Sequence, residues 1–97
     1  MKRYVVAYLN RHGRADWPKS RTIEAENAKD ARRLFNEWYW SRSDDRLTYP
    51  FHITVKRFDG LTRCPLCGSL LEEKNDPEMG YVCTHLRCGL QIKRKAQ

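Results

Sequence analysis

The spacing of the four cysteines constrains this chain most: Cys64-x2-Cys67, fifteen intervening residues, then Cys83-x4-Cys88. Two thiolates three positions apart reach one ion when the backbone turns tightly between them, and Cys64-Pro65-Leu66-Cys67-Gly68 has the outline of such a knuckle. Gly68 relieves crowding after the turn and frees backbone N–H groups to face the sulfurs. Cys88-Gly89 repeats the Cys-Gly feature on the second side. The spacing predicts a four-cysteine zinc ribbon holding one structural Zn2+. Its strands are Leu70-Leu71 and Tyr81-Val82, and the polar stretch from Glu72 to Gly80 joins them. His85 is an alternate ligand, because His85-Leu86-Arg87-Cys88 also has a two-residue gap. The thiolate charge, and the place of Cys83 directly after a strand, favour Cys83. Four protein ligands close the coordination sphere, so no catalysis is expected at the metal.

The alternatives are free thiols or two disulfides. All four cysteines lie in the last 34 residues. Met1–Leu9 is too short an apolar run for a signal peptide, contains two Tyr and lacks a small-residue cleavage site. A reducing, cytoplasmic setting is therefore expected, where paired cysteines hold metal more often than they form disulfides. A segment below roughly 40 residues seldom folds on apolar burial alone, so zinc should supply much of the folding free energy of residues 61–97.

Upstream of Asp59-Gly60-Leu61-Thr62 there is no cysteine, and residues 1–60 read as a separate small domain. Arg3–Leu9, rich in Tyr and Val, predicts a strand. Asn10-Arg11-His12-Gly13 is turn chemistry, and Arg14–Lys19, with Trp17-Pro18, reads as a longer loop. Ser20–Ala25 predicts a second strand. Asn27 is a favoured helix N-cap with Asp30 three residues on. Ala31, Leu34, Phe35 and Trp38 then follow one helical stripe. Trp38 fits that stripe, but Tyr39 and Trp40 cannot both point inward on the same turn, so one of them covers the linker, docks the zinc ribbon, or stacks a base or a partner side chain. The helix ends near Trp40-Ser41, and a polar loop runs to Pro50. Phe51, Ile53 and Val55 alternate with His52, Thr54 and Lys56 as a third strand. The fold class expected is α+β: a β-β-α-β domain followed by the zinc ribbon.

The formal charge is +7; adding one Zn2+ and four thiolates leaves about +5. A basic balance favours nucleic acid or an acidic protein surface as partner. No apolar run approaches the ~20 residues of a membrane span. There is no Ser/His/Asp or Cys/His set, no phosphate-binding Gly loop and no paired carboxylates on a helix face. His12 and His52 are isolated, so an enzyme is not expected.

Cys64-Pro65-Leu66-Cys67 with Tyr81-Val82-Cys83-Thr84-His85-Leu86-Arg87-Cys88-Gly89 resembles the zinc finger of the Ogr/Delta phage transcription activators. More distantly it resembles the C-terminal zinc ribbons of bacterial type I topoisomerases, which bind single-stranded DNA. The resemblance spans about residues 62 to 93. It departs from the activators in a shorter loop between the Cys pairs and in a finger that follows another domain. It implies a zinc-dependent regulator contacting DNA and RNA polymerase, in the host-cell cytoplasm if phage-encoded.

The candidate contact residues are Lys29, Arg32 and Arg33 on the helix, with Arg42 and Arg46 nearby. Trp40, Arg87 and the basic tail Lys93-Arg94-Lys95 complete the set. The acidic ribbon loop Glu72-Glu73, Asp76 and Glu78 would repel phosphate. Two readings stand: a non-enzymatic regulator that binds nucleic acid or a nucleic-acid enzyme, and a protein–protein adaptor in which Trp17 and Trp40 form the anchor.

Overall fold

The computed structural model describes residues 1–42 and 48–97, with Arg42 described by its backbone only. The element order is β1 (Lys2–His12), β2 (Ala15–Ala25), α1 (Ala28–Arg42), β3 (Thr48–Arg57), β4 (Leu71–Glu73), β5 (Met79–Cys83) and β6 (Gln91–Lys93). Two three-stranded antiparallel sheets result, ordered β2-β1-β3 and β4-β5-β6. The class is α+β.

The expected strand order β-β-α-β holds for residues 1–57, with longer strands than the local pattern suggests. The segment 14–19 is not a loop. Pairing runs without interruption from Lys2↔Ala25 to His12↔Ala15, so only Gly13-Arg14 turns. Pro18 pairs with Leu9 and is tolerated because β2 is an edge strand, where a missing N–H breaks no ladder. Arg11 grips Asp16 across the hairpin through two bonds of 2.7 and 3.0 Å.

β1 has five consecutive buried residues, Tyr4 to Tyr8. Their alternation feeds two cores. Tyr4, Val6 and Tyr8 pack toward α1 with Ile23, Ala31, Phe35 and Tyr39. Val5 and Ala7 pack in the opposite direction with Phe58, Cys64, Tyr81, Cys83, Leu90 and Ile92. The second sheet therefore covers the face of the first that the helix leaves open.

α1 begins as the sequence indicates: the Asn27 side chain accepts the Asp30 N–H at 2.9 Å. Ala31 and Phe35 are fully buried, while Leu34 and Trp38 flank them. Tyr39 turns inward and donates to Asn10 Oδ1 at 2.6 Å, and Trp40 faces outward.

β3 departs from simple alternation. Ala7 pairs with Thr54 and Leu9 with Phe51, so two residues, His52 and Ile53, oppose Tyr8 alone. This bulge inverts the faces beyond it. Ile53 and Val55 join the helix-side core, but Phe51 lies on the opposite face, under the Arg11 guanidinium at 4.8 Å. Phe51 is thus not part of the Ile53–Val55 stripe.

β6 is a strand that the local sequence pattern does not mark. It seats the last residues against β2. Ser20 and Thr22 hydroxyls donate to the carbonyls of Gln91 and Lys93, and Gln97 N donates to Thr22 O at 2.7 Å. Thr22 is fully buried, and the bond to Lys93 satisfies its hydroxyl.

Two features of this packing can be measured. A Cβ on Gly80 would stand 2.8 Å from Phe58 Cζ and 3.2 Å from the Ile92 carbonyl. Gly80→Ala should cost about 1–3 kcal/mol in urea unfolding, and less in a Phe58→Leu background. Second, Asp76 accepts the N–H groups of Glu78 and Met79 at 2.7 and 3.2 Å, which hold its carboxyl below the usual range. A folded-state value below the unfolded one stabilises above the ordinary range of about 3.9, and that contribution disappears as pH falls through the folded-state value. The Tm difference between wild type and Asp76→Ala should shrink as pH drops from about 5 toward 2; a constant gap would contradict the assignment.

Candidate metal centre

Two tight turns bring the cysteines together. In the first, Gly68 N donates to Cys64 O at 2.9 Å and Cys64 N to Ser69 O at 2.7 Å. In the second, Cys88 N and Gly89 N both donate to His85 O, at 3.2 and 3.1 Å. Gly68 and Gly89 exit these turns at φ 78° and 61°, in the left-handed region that a side chain disfavours. The turns are joined by Cys83 N to Leu90 O and Thr84 N to Leu70 O.

The four Sγ atoms lie within 4.8 Å of one another. Cys64 and Cys88 sulfurs are 3.8 Å apart, and those of Cys67 and Cys83 are 3.4 Å apart. A disulfide would need ~2.05 Å. A tetrahedron of sulfurs about 2.3 Å from a central ion has edges of ~3.8 Å. The donor set and its spacing fit one tetrahedral metal ion and not a pair of disulfides. Cys64 and Cys83 are buried, Cys88 is half-buried and Cys67 is exposed.

Backbone amides serve these sulfurs in a regular way. Cys67, Cys83 and Cys88 each receive the N–H of the residue two positions on: Ser69, His85 and Leu90. Burial raises the Cys67 thiol, but the Ser69 hydroxyl and N–H, with Cys83 and Cys64, outweigh it and bring the group to about 6. Burial dominates at Cys88, pushed up to about 12, and at Cys83, also raised. A cation would offset that desolvation by stabilising the thiolates.

Cys83 belongs to the sulfur cluster, whereas His85 is exposed and its Nδ1 accepts the Arg87 N–H at 3.2 Å. His85 Nδ1 is thus engaged within its own turn, and the residue is not among those that meet at the sulfur cluster.

The other candidate residues do not converge. Lys29, Arg32 and Arg33 are exposed on α1, but Arg33 is engaged by Glu37 at 3.0 Å and lies 3.9 Å from Asp30. Arg46 and the Arg42 side chain fall outside the described residues. Arg87 is exposed beside the sulfur cluster. The tail residues part company. Lys93 lies within β6, Lys95 is exposed, and Arg94 binds the carbonyls of Lys74 and Asp76 at 2.6 and 3.1 Å. Arg94 thus braces the acidic hairpin instead of facing a ligand. Trp17 lies on strand β2 and not in a loop, yet it stays exposed, as does Trp40.

Phe58 and Leu90 complete the packing under the cysteines. The sequence does not mark them, because neither belongs to a strand pattern or a ligand motif. No family model, curated protein or solved structure matches the chain.

Cobalt(II) titration of the reduced protein should give intense thiolate charge-transfer absorption saturating at one ion per chain. His85→Ala should retain that stoichiometry, while Cys83→Ser should weaken binding and alter the spectrum. The opposite ranking would move the ligand from Cys83 to His85.

Proposed function

We propose that the chain is a non-enzymatic regulator that holds one structural Zn2+ in a C-terminal zinc ribbon and contacts nucleic acid or a nucleic-acid enzyme such as RNA polymerase. The observation that carries this reading is the closed four-sulfur cluster on a chain of net charge +7. Zinc suits four thiolates in a tetrahedron, and a full coordination sphere leaves no site for a reacting water. The metal then shapes a surface. In small zinc modules such binding is worth on the order of 10 kcal/mol of folding free energy.

Several features support the regulator reading. Lys29, Arg32, Arg87 and Lys95 are exposed, as direct contact with a polyanion requires. The sequence resemblance to the Ogr/Delta fingers points to transcription control, to a phage origin and to the cytoplasm as the working compartment. Among the described residues, no helix is long and apolar enough to cross a membrane.

A second reading, the protein–protein adaptor, draws on exposed apolar side chains. Leu86 is 100% exposed at the tip of the second cysteine turn, and Trp17 and Trp40 are each 57% exposed. Such residues are anchors when a partner covers them.

Salt separates the two readings. Direct binding of the zinc-loaded protein to single-stranded or duplex oligonucleotides should weaken with a log K against log salt slope of at least about 3 in magnitude, near 0.7–0.9 per phosphate contact. A flat response between about 50 and 200 mM salt, together with partner capture abolished by Trp40→Ala or Trp17→Ala, would replace the regulator by the adaptor.

A further inference from the structure

A groove of about 350 Å³ separates the cysteine turns from the end of the first sheet. Leu9, Pro18, Phe51 and Leu66 form its apolar lining, while His52 and Arg87 bring polar groups to it. Asp16 also lines it, but both its carboxylate oxygens are bound by Arg11. His85 and the sulfur-bearing Cys67 and Cys88 complete the lining; thiolates there carry negative charge that one bound Zn2+ offsets only in part, and the fixed cation of the lining is the Arg87 guanidinium. Of the acidic segment, Glu72 and Glu73 pair with Val82 and Tyr81, one and two positions from Cys83, while Asp76 and Glu78 lie toward the other end of β5; none of the four lines the groove.

His52 marks the bulge that shapes the groove. It is the one non-glycine described residue with positive φ, at 54°, and it is part of the β3 bulge. A side chain in that conformation is strained, and glycine would hold the same backbone at lower cost. The bulge also delivers Phe51 to this face and leaves Ile53 in the helix-side core. Without the extra residue the groove would lose its aromatic wall. The positive φ belongs to the bulge, and bulges that re-aim a side chain are over-represented beside functional sites.

We propose that this groove receives one unpaired nucleotide of a single strand, its base against Phe51 and Pro18 and its phosphate on Arg87 and His52. The proposal rests on the nucleic-acid reading above and gives it a site. An apolar slot with ring-bearing walls takes the flat face of any base, and an adjoining guanidinium takes the charge that every nucleotide carries. The excess of positive charge over the chain draws a polyanion more strongly than a singly charged peptide side chain.

The test uses the zinc-loaded full chain and fluorescein-labelled six-residue thymidine and adenosine oligodeoxynucleotides, read by polarisation. Arg87→Glu should weaken binding about tenfold or more, the loss of a charge-assisted contact. Lys2→Glu makes the same charge change at the start of β1, far from the groove, and should weaken it less than about threefold. His52→Gly should weaken binding while melting at the same or a higher temperature, an outcome that a purely structural histidine would not give. If Arg87→Glu and Lys2→Glu weaken binding equally, or His52→Gly binds like wild type, the groove assignment falls while the nucleic-acid reading stands. If the wild type binds neither oligomer but a glutamate-rich peptide is captured and lost with Arg87→Glu, the occupant is an acidic peptide and this proposal falls. If neither oligomers, duplex nor peptide binds, both readings fall.

Discussion

Alternation along β1 divides the molecule into two cores that share one strand. Tyr4, Val6 and Tyr8 belong to the helix side, and Val5 and Ala7 to the side of the second sheet. A strand buried on both faces cannot be completed by one layer alone. If the second sheet were absent, Val5 and Ala7 would face water together with Phe58. Each fully buried aliphatic or aromatic side chain is worth about 1.5–3 kcal/mol relative to exposure. The helix side is self-sufficient in apolar residues; the other side depends on Tyr81, Leu90 and Ile92 from the cysteine segment. The hydroxyls of Ser20 and Thr22, bonded to the β6 carbonyls, tie the same two layers at their edge.

The sulfur cluster is part of that second core. Cys64 and Cys83 are buried beside Val5, Ala7 and Ile92, and Leu90, the residue whose N–H reaches Cys88 and whose carbonyl accepts from Cys83, is fully buried in the same group. Ordering the two turns and burying Leu90 are therefore one event. An ion that fixes four thiolates would stabilise the contact between sheets, and so reach β1 without touching it. This coupling differs from a zinc module hung on a linker, where metal loss leaves the neighbouring domain intact.

The cysteine cluster was the most legible part of the sequence, because ligand spacing is a local property and two Cys-Gly turns carry it. The helix was legible for the same reason, through Asn27 and the Ala31–Phe35 stripe. Three features were not. The segment 14–19 lacks β-branched residues and contains Pro18, so local propensity argues against a strand; cross-strand pairing to Leu9, Asn10 and Arg11 overrides it. The β3 bulge is invisible in a pattern that alternates well without it, and only the fixed register against β1 reveals that Phe51 and Ile53 face opposite ways. The short strand β6 depends on carbonyl contacts to Ser20 and Thr22, each 71 residues upstream of its partner, which no window of local sequence contains. Each of the three requires knowledge of a distant partner.

The positions of the charges then narrow what the exposed surface can recognise. A composition of 19 Lys and Arg against 12 Asp and Glu describes a basic chain, but several of the cations have internal work. Arg3 donates to the Arg94 carbonyl and stacks over Phe58 at 4.3 Å; Arg11 is held by Asp16; Arg21 lies 3.9 Å over Trp38; Arg94 braces the hairpin. These guanidiniums are used for planarity and forked donation as much as for charge, which is why they are Arg and not Lys. Arg87 differs from them in place: its side chain is exposed beside an apolar cavity, and the carboxylate that lines that cavity is already bound elsewhere. On the proposed reading, recognition depends less on total charge than on where the exposed Arg87 meets the apolar part of this wall, and the β3 bulge is what places Phe51 there.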